Sequence, residues 1–176
     1  IVEKNHALAA GEEIHISAGS ALVIEADQDI TIKGPGGFVR IDSSGVTIKG
    51  KTAVVTGSTS GIGLGIAHAL ASAGGNIVMN GLGTEADNEK VIREVSAHGT
   101  RVSFDPANML RHNQIAEMIA KAERDFGSVD ILVNNAGIQH VAPVHEFPID
   151  KWDAVLAINL TAPFLVTRAV LPQMLA

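Results

Sequence analysis

An apolar run over residues 52–56 leads straight into Thr56-Gly57-Ser58-Thr59-Ser60-Gly61-Ile62-Gly63, and residues 62–73 then take up helical spacing. Glycines at this spacing between a strand and a helix leave few folds open. Gly57 permits the sharp turn out of the strand. Gly61 lets the backbone come close to a bound group. Gly63 lets the helix pack closely on the sheet. The free N–H groups of the first helical turn then form an anion site. A tight turn without a ligand is the competing reading, and the rest of the chain weighs against it.

Beyond the loop, strand and helix alternate. Residues 76–79, 101–104 and 130–133 read as strands, and residues 85–98, 114–126 and 150–171 as helices. The order βαβαβαβα implies an α/β fold: a partial Rossmann fold with a parallel sheet, flanking helices and right-handed crossovers. Strand order 3-2-1-4 is expected for this half. Ligands of such sheets bind at the carboxyl ends of the strands, where strand order reverses. The fourth strand ends there in Asn134-Asn135-Ala136-Gly137.

The two motifs, T-G-x-x-x-G-I-G and N-N-A-G about eighty residues on, make residues 51–176 resemble the N-terminal half of a short-chain dehydrogenase/reductase. Asn80-Gly81-Leu82-Gly83 and the run from Asn135 through Ile138, Gln139 and His140 to Pro143 look like its D-3-hydroxybutyrate dehydrogenase branch. The resemblance implies NAD as cofactor and hydride transfer to or from a small hydroxy acid such as 3-hydroxybutyrate. It implies Gly57, Thr59, Gly61, Ile62 and Gly63 along the pyrophosphate and ribose. It places Asn134, Ala136 and Gly137 along the adenosine side and the strand-four end, and Asn108 at the adenine amino group, where the family usually has aspartate. Asn159 matches the asparagine of the catalytic tetrad, which holds a water of the proton relay and shapes its helix. Gln139 matches a glutamine that meets the substrate carboxylate; a polar loop at Gln139 and His140 is the equal alternative.

The second strand ends at Asn80-Gly81 with no acidic residue for the ribose hydroxyls. The hydroxybutyrate branch shares that lack, so NAD remains the expectation. The positions of the family's catalytic Ser and Tyr-x-x-x-Lys are expected beyond Ala176, and the chain has no tyrosine at all. Phe147 and Lys151 have the spacing of that motif with Phe in place of Tyr, but they lie too near Asn134–Gly137 and read as a loop before a helix.

Before Gly50 the text is different. The pairs Ile14/Ile16, Leu22/Ile24, Ile30/Ile32, Phe38/Arg40 and Val46/Ile48 recur at a step of eight, and nine of the ten positions are apolar. Spacing within each pair is the strand period, and turn residues fill the gaps. A β-solenoid or a small meander is expected. Asn5 to Leu8, Glu13 to Ile16 and Thr31 to Asp42 make residues 1–50 look like the C-terminal β-helix of a VgrG-type spike of type VI secretion. That resemblance implies a trimer and, as an alternative destination, secretion. His6 and His15 lack companion ligands, so no metal is expected.

The division is therefore 1–50, spike-like, and 51–176, dinucleotide-binding. No linker separates them, and three residues of chain about the junction reach only roughly 10 Å, against a radius of gyration of about 14 Å for the second part. Threefold symmetry also conflicts with the dimers or tetramers usual for the dehydrogenase family. A chimeric reading frame joined at the shared Lys49-Gly50 is one reading; a spike carrying a dehydrogenase-like passenger is the other.

Composition narrows the rest. A net charge of −6 argues against nucleic-acid or anionic-membrane partners. The absence of cysteine rules out disulfides and thiolate metal sites and fits the cytoplasm. The first residue is Ile, not Met, so the chain is expected to be a fragment. Residues 155–176 have spanning length, but Asn159, Pro163 and Arg168 mark a buried soluble helix instead.

Overall fold

The computed structural model describes residues 29–34, 37–42 and 45–175. The octad pairs Ile14/Ile16 and Leu22/Ile24, with His6 and His15, lie outside the described residues. The later octads do form strands: β1 (Asp29–Gly34), β2 (Gly37–Asp42) and β3 (Gly45–Thr47). They pair antiparallel in the order β1-β2-β3, with Gly34 opposite Gly37 and Asp42 opposite Gly45. Of the two arrangements expected, this stretch takes the meander. Three of its apolar side chains, Ile32, Ile41 and Val46, are exposed.

The second sheet holds β4 (Thr52–Val55), β5 (Asn76–Asn80), β6 (Val102–Asp105) and β7 (Ile131–Val133). All its pairings are parallel, in the order β6-β5-β4-β7. That is the 3-2-1-4 order of a Rossmann half. Helices α1 (Gly61–Ser72), α2 (Glu85–Ser96) and α3 (His112–Phe126) make the crossovers.

Alternation along the central strands sorts side chains to the two faces. Ala53, Val55, Ile77 and Met79 pack with Ala67, Ala71 and Val95 of α1 and α2. Val54 and Val78 point the other way, onto Ile115, Met118, Ile119 and Ala122 of α3 and Val166 and Val170 of α5. Strand β4 is buried on both faces, as a near-continuous apolar run in a parallel sheet must be. Upstream of it, Ile48 is buried and donates its N–H to the Ala73 carbonyl at 2.7 Å, which docks the entering chain on the end of α1.

The last expected helix is not uniform. It runs as α4 (Ile149–Leu156), a π turn (Ala157–Thr161) and α5 (Ala162–Met174). Ile149–Met174 is long and apolar enough to cross a membrane by length and composition alone. The expectation of a buried helix holds for one stripe only: Ala162, Val166 and Val170, four apart, face the core. Leu160, Phe164, Leu171 and Leu175 are exposed.

Candidate functional site

Two turns at the carboxyl ends of β4 and β7 are bound into one unit. Gly57 turns the chain with φ at +62°, and a Cβ there would lie 2.8 Å from the Ala136 Cα. No side chain fits between these backbones. Thr56 fastens them: its Oγ1 accepts the N–H of Asn135 and of Ala136, both at 3.0 Å, and donates to the Val133 carbonyl at 3.2 Å. The Asn135 amide closes the unit from the other side, donating to the carbonyls of Thr56 at 2.9 Å and Gly57 at 3.0 Å.

Gly63 serves this unit too. A Cβ there would stand 2.3 Å from the Gly57 carbonyl oxygen and 2.4 Å from Asn135 Nδ2. Its close approach is therefore to the loop and Asn135, not to the sheet as the sequence suggested. A side chain at 63 would push the helix start away from the turn and break the amide's two bonds.

Between the turns and the segment after β6 lies an open cleft. The glycine loop supplies Gly57, Thr59 and Ser60; the end of β5 supplies Asn80, Gly81 and Leu82. Ala107, Asn108 and Met109 form the far wall, and Asn135, Ala136, Gly137, Ile138 and Ile158 complete it. No residue lining it carries a charge. Asn108 is held in place: its N–H donates to Gln114 Oε1 at 2.8 Å, and its Oδ1 accepts from the Leu110 N–H at 2.9 Å.

Asn159 reaches this region from the π turn. Its Oδ1 accepts the Ile138 N–H at 2.9 Å and its Nδ2 donates to the Ile138 carbonyl at 2.8 Å. One side chain thus fixes the backbone leaving the Asn134–Gly137 turn to the helix that follows. A π turn inside a helix often marks a functional position, and this one carries the asparagine singled out from the sequence.

Several expected site residues stand elsewhere. Asn134 is exposed and donates to Thr167 Oγ1 of α5 at 3.1 Å, away from the cleft lining. Ile62 is 79% exposed, and neither it, Gly61 nor Gly63 lines the cleft. Gln139 is exposed one residue beyond the cleft wall. Its neighbour His140 packs edge-on against Phe147, which packs in turn against Trp152, so Phe147 is held by an aromatic cluster. Thr56, Asn80 and Asn135 received no role from the sequence. Thr56 and Asn135 sit inside the two motifs, and that was the signal available.

At the opposite end of the sheet, Asp130 joins the starts of β4 and β7. Its carboxylate accepts from Lys51 Nζ at 2.8 Å, the Thr52 N–H at 2.9 Å and Ser128 Oγ at 3.2 Å. Burial raises the Asp130 pKa, but the Lys51 ammonium, the Thr52 amide and the Ser128 hydroxyl together outweigh it. The group is held below the ordinary carboxylate range. Among the described residues no three potential ligands gather to hold a metal.

The fold is a Rossmann-type half-sheet, and the cleft lies at the switch point in strand order between β4 and β7. Residues 51–176 match the short chain dehydrogenase family, and the chain belongs to it. The D-beta-hydroxybutyrate dehydrogenase of Cupriavidus necator is 54% identical over 127 residues, covering 72% of this chain and 49% of that protein. The enzyme of the same name from Rhizobium meliloti is 48% identical over 126 residues, covering 70% and 48%. A dehydrogenase/reductase structure from Sinorhizobium meliloti superposes with a TM-score of 0.70 at 34% identity, over 73% of this chain and 51% of that one. A blue fluorescent protein from a metagenomic library, in complex with NADPH, superposes with a TM-score of 0.69 at 32% identity, over 72% and 52%. The family uses NAD(P), in agreement with the cofactor that the resemblance implied. The chain spans about half the length of the curated relatives it matches.

Proposed function

We propose that residues 51–176 are the NAD-binding part of a short-chain dehydrogenase that interconverts a small hydroxy acid, of the 3-hydroxybutyrate kind, and its keto acid. The carrying observation is the cleft walled by the Gly57 loop, Gly81–Leu82 and the Ala136–Gly137 turn, with no charged residue lining it. A pyrophosphate there meets the N–H groups at the start of α1 and the Thr59 and Ser60 hydroxyls. The lining offers no cation for a 2′-phosphate, which favours NAD over NADP. The high identity to two D-beta-hydroxybutyrate dehydrogenases supports the substrate class.

In this reading Gly57 and Thr59 meet the pyrophosphate and ribose, Gly61, Ile62 and Gly63 shape the loop and helix start behind them, and Asn108, Ala136 and Gly137 lie on the adenosine side. The bound cofactor supplies or accepts the hydride. Asn159 holds the Ile138 backbone beside the reacting region and anchors the proton relay. Gln139, on the loop that follows, meets the substrate carboxylate. Asn134, tied to Thr167, takes a supporting place behind the turn. Calorimetric titration of NAD and NADP into the 176-residue chain tests the reading: saturable NAD binding, tighter than NADP, is expected. Absence of binding to a folded chain would sink it.

A second reading concerns residues 1–50 as a unit of their own, a segment of a trimeric VgrG-like spike to which the dehydrogenase part is a passenger. The exposed Ile32, Ile41 and Val46 favour it, because a three-stranded meander with bare apolar side chains gains from pairing with other copies. Sedimentation of residues 1–50 should then give a trimer. A well-folded monomer removes this reading.

A further inference from the structure

Asn80 ends β5, the position from which an open sheet of this kind usually offers an acidic side chain to the ribose. Here the residue is only 1% exposed, and both ends of its amide are engaged within the protein. Its Oδ1 accepts the Gly57 N–H at 3.3 Å, and its Nδ2 donates to the carbonyls of Asp105 at 3.0 Å and Ala107 at 2.9 Å. The backbone is engaged as well: the N–H donates to Ser58 Oγ at 3.0 Å, and the carbonyl accepts the Ser58 N–H at 2.7 Å. A single residue thereby joins the glycine loop to the segment that presents Asn108. The next position gives no alternative, since a Cβ on Gly81 would lie 2.4 Å from Thr59 Oγ1.

We propose that Asn80 is a positioning residue of the dinucleotide site: its buried amide sets the spacing between the glycine loop and the Ala107–Asn108 wall, and this duty replaces ribose recognition at the end of β5. The inference rests on the dinucleotide reading above. Only an amide fits all three bonds, with an acceptor toward Gly57 and two N–H donors toward two carbonyls. A carboxylate of the same shape keeps the first bond but sets its second oxygen against two carbonyl oxygens in a buried place. Protonation of that carboxylate restores one donor.

The opposite signs of two effects make this testable. NAD and NADP are titrated into the wild-type chain and into Asn80→Asp at about pH 8 and about pH 5. A positioning amide predicts that Asn80→Asp binds NAD on the order of tenfold more weakly at the higher pH, because buried carbonyls lose their donors. The NAD-to-NADP ratio should stay as in the wild type, and the deficit should shrink at the lower pH. A ribose-facing carboxylate gives the reverse: tighter NAD binding and a larger NAD preference at the higher pH. That result, or unchanged affinity, overturns the proposal. Should Asn80→Asp not fold, amide exchange of the wild-type chain decides. A protected Gly57 N–H without ligand supports the proposal, and exchange there at the rate of an open loop overturns it. A wild-type chain that binds neither dinucleotide refutes the functional reading instead, and the Gly57 exchange rate still judges the Asn80 bond.

Discussion

Asn159 holds both backbone polar groups of Ile138, accepting its N–H at 2.9 Å and donating to its carbonyl at 2.8 Å. The pairing spans 21 residues and fixes the loop after β7 to the π turn. Asn159→Ala should cost about 1 kcal/mol of stability, the net worth of exposed amide hydrogen bonds. It should also weaken NAD binding by loosening the Gly137–Ile138 wall. Urea denaturation and NAD titration read the two effects. Unchanged values in both would show the pairing to be incidental.

Gly63→Ala is a stricter case. The new methyl would meet the Gly57 carbonyl oxygen at 2.3 Å and Asn135 Nδ2 at 2.4 Å. Both are locked in the unit that shapes the cleft, so neither can swing away cheaply. Overpacking of this kind costs about 1–3 kcal/mol. A lower melting temperature and lost NAD affinity are expected together. Gly65→Ala is the control, since nothing lies within 4 Å of the corresponding position there.

The acid limb of stability should carry the signature of Asp130. Its pKa is lowered in the folded chain, against an unfolded value of about 3.9. The folded state then binds fewer protons, so its contribution is fully present above about pH 4. It disappears as pH falls through the folded value. Asp130→Asn should cost about 1 kcal/mol at neutral pH, discounted for partial exposure. The cost should shrink as pH falls below the unfolded value and vanish once it lies below the folded one. Urea midpoints across that range check it; a pH-independent difference would exclude the carboxylate as its source.

Which parts were legible follows from how local each signal is. The strands β4 to β7 and their crossovers show in the hydrophobic period because β4 and β5 bury short apolar runs, while Val102, Phe104, Ile131 and Val133 of β6 and β7 pack half-buried against the same core. The π turn over Ala157–Thr161 does not show, since Ala157-Ile158-Asn159-Leu160-Thr161 has ordinary helical composition and only Asn159's grip on Ile138 accompanies the wider turn. Asn134 and Asn135 are adjacent and identical in type. At a strand end they point to opposite sides, so one reaches α5 and the other the glycine loop. Nothing in the sequence says which is which. Asn80 reads as a missing acid until its three partners, from distant segments, are seen together.

Self-association is expected from α5. Val166 is 1% exposed and Leu165 packs against the core, while Leu160, Phe164, Leu171 and Leu175 form an open apolar face. Among the described residues, strand β7 pairs on one side only, with β4. A bare apolar stripe beside an open strand edge favours contact with further chain or another copy. Sedimentation should show concentration-dependent mass, reduced by Phe164→Glu. A monomer at high concentration with a cooperative melt would contradict this.

The 176-residue chain should bind NAD yet fail to form NADH from D-3-hydroxybutyrate. Moving a hydride off the substrate carbon requires a group that takes the hydroxyl proton in the same step. General acid–base catalysis of that kind is worth about 10²–10⁴-fold. The resemblance assigns it to a tyrosine beside a lysine, and the sequence contains no tyrosine. Phe147, at the matching spacing from Lys151, has no hydroxyl and is packed between His140 and Trp152. His140 and Lys151 are exposed and do not line the cleft. Binding draws on other parts: the Gly57 loop, the Asn135 clasp and the Asn80 amide are all present and bonded to one another. The two properties should therefore separate, with a saturable NAD titration and no rise in absorbance at the NADH wavelength under the same conditions. Turnover by the purified chain would show that a proton acceptor other than tyrosine serves the cleft, and His140 and Lys151 would be the first to replace.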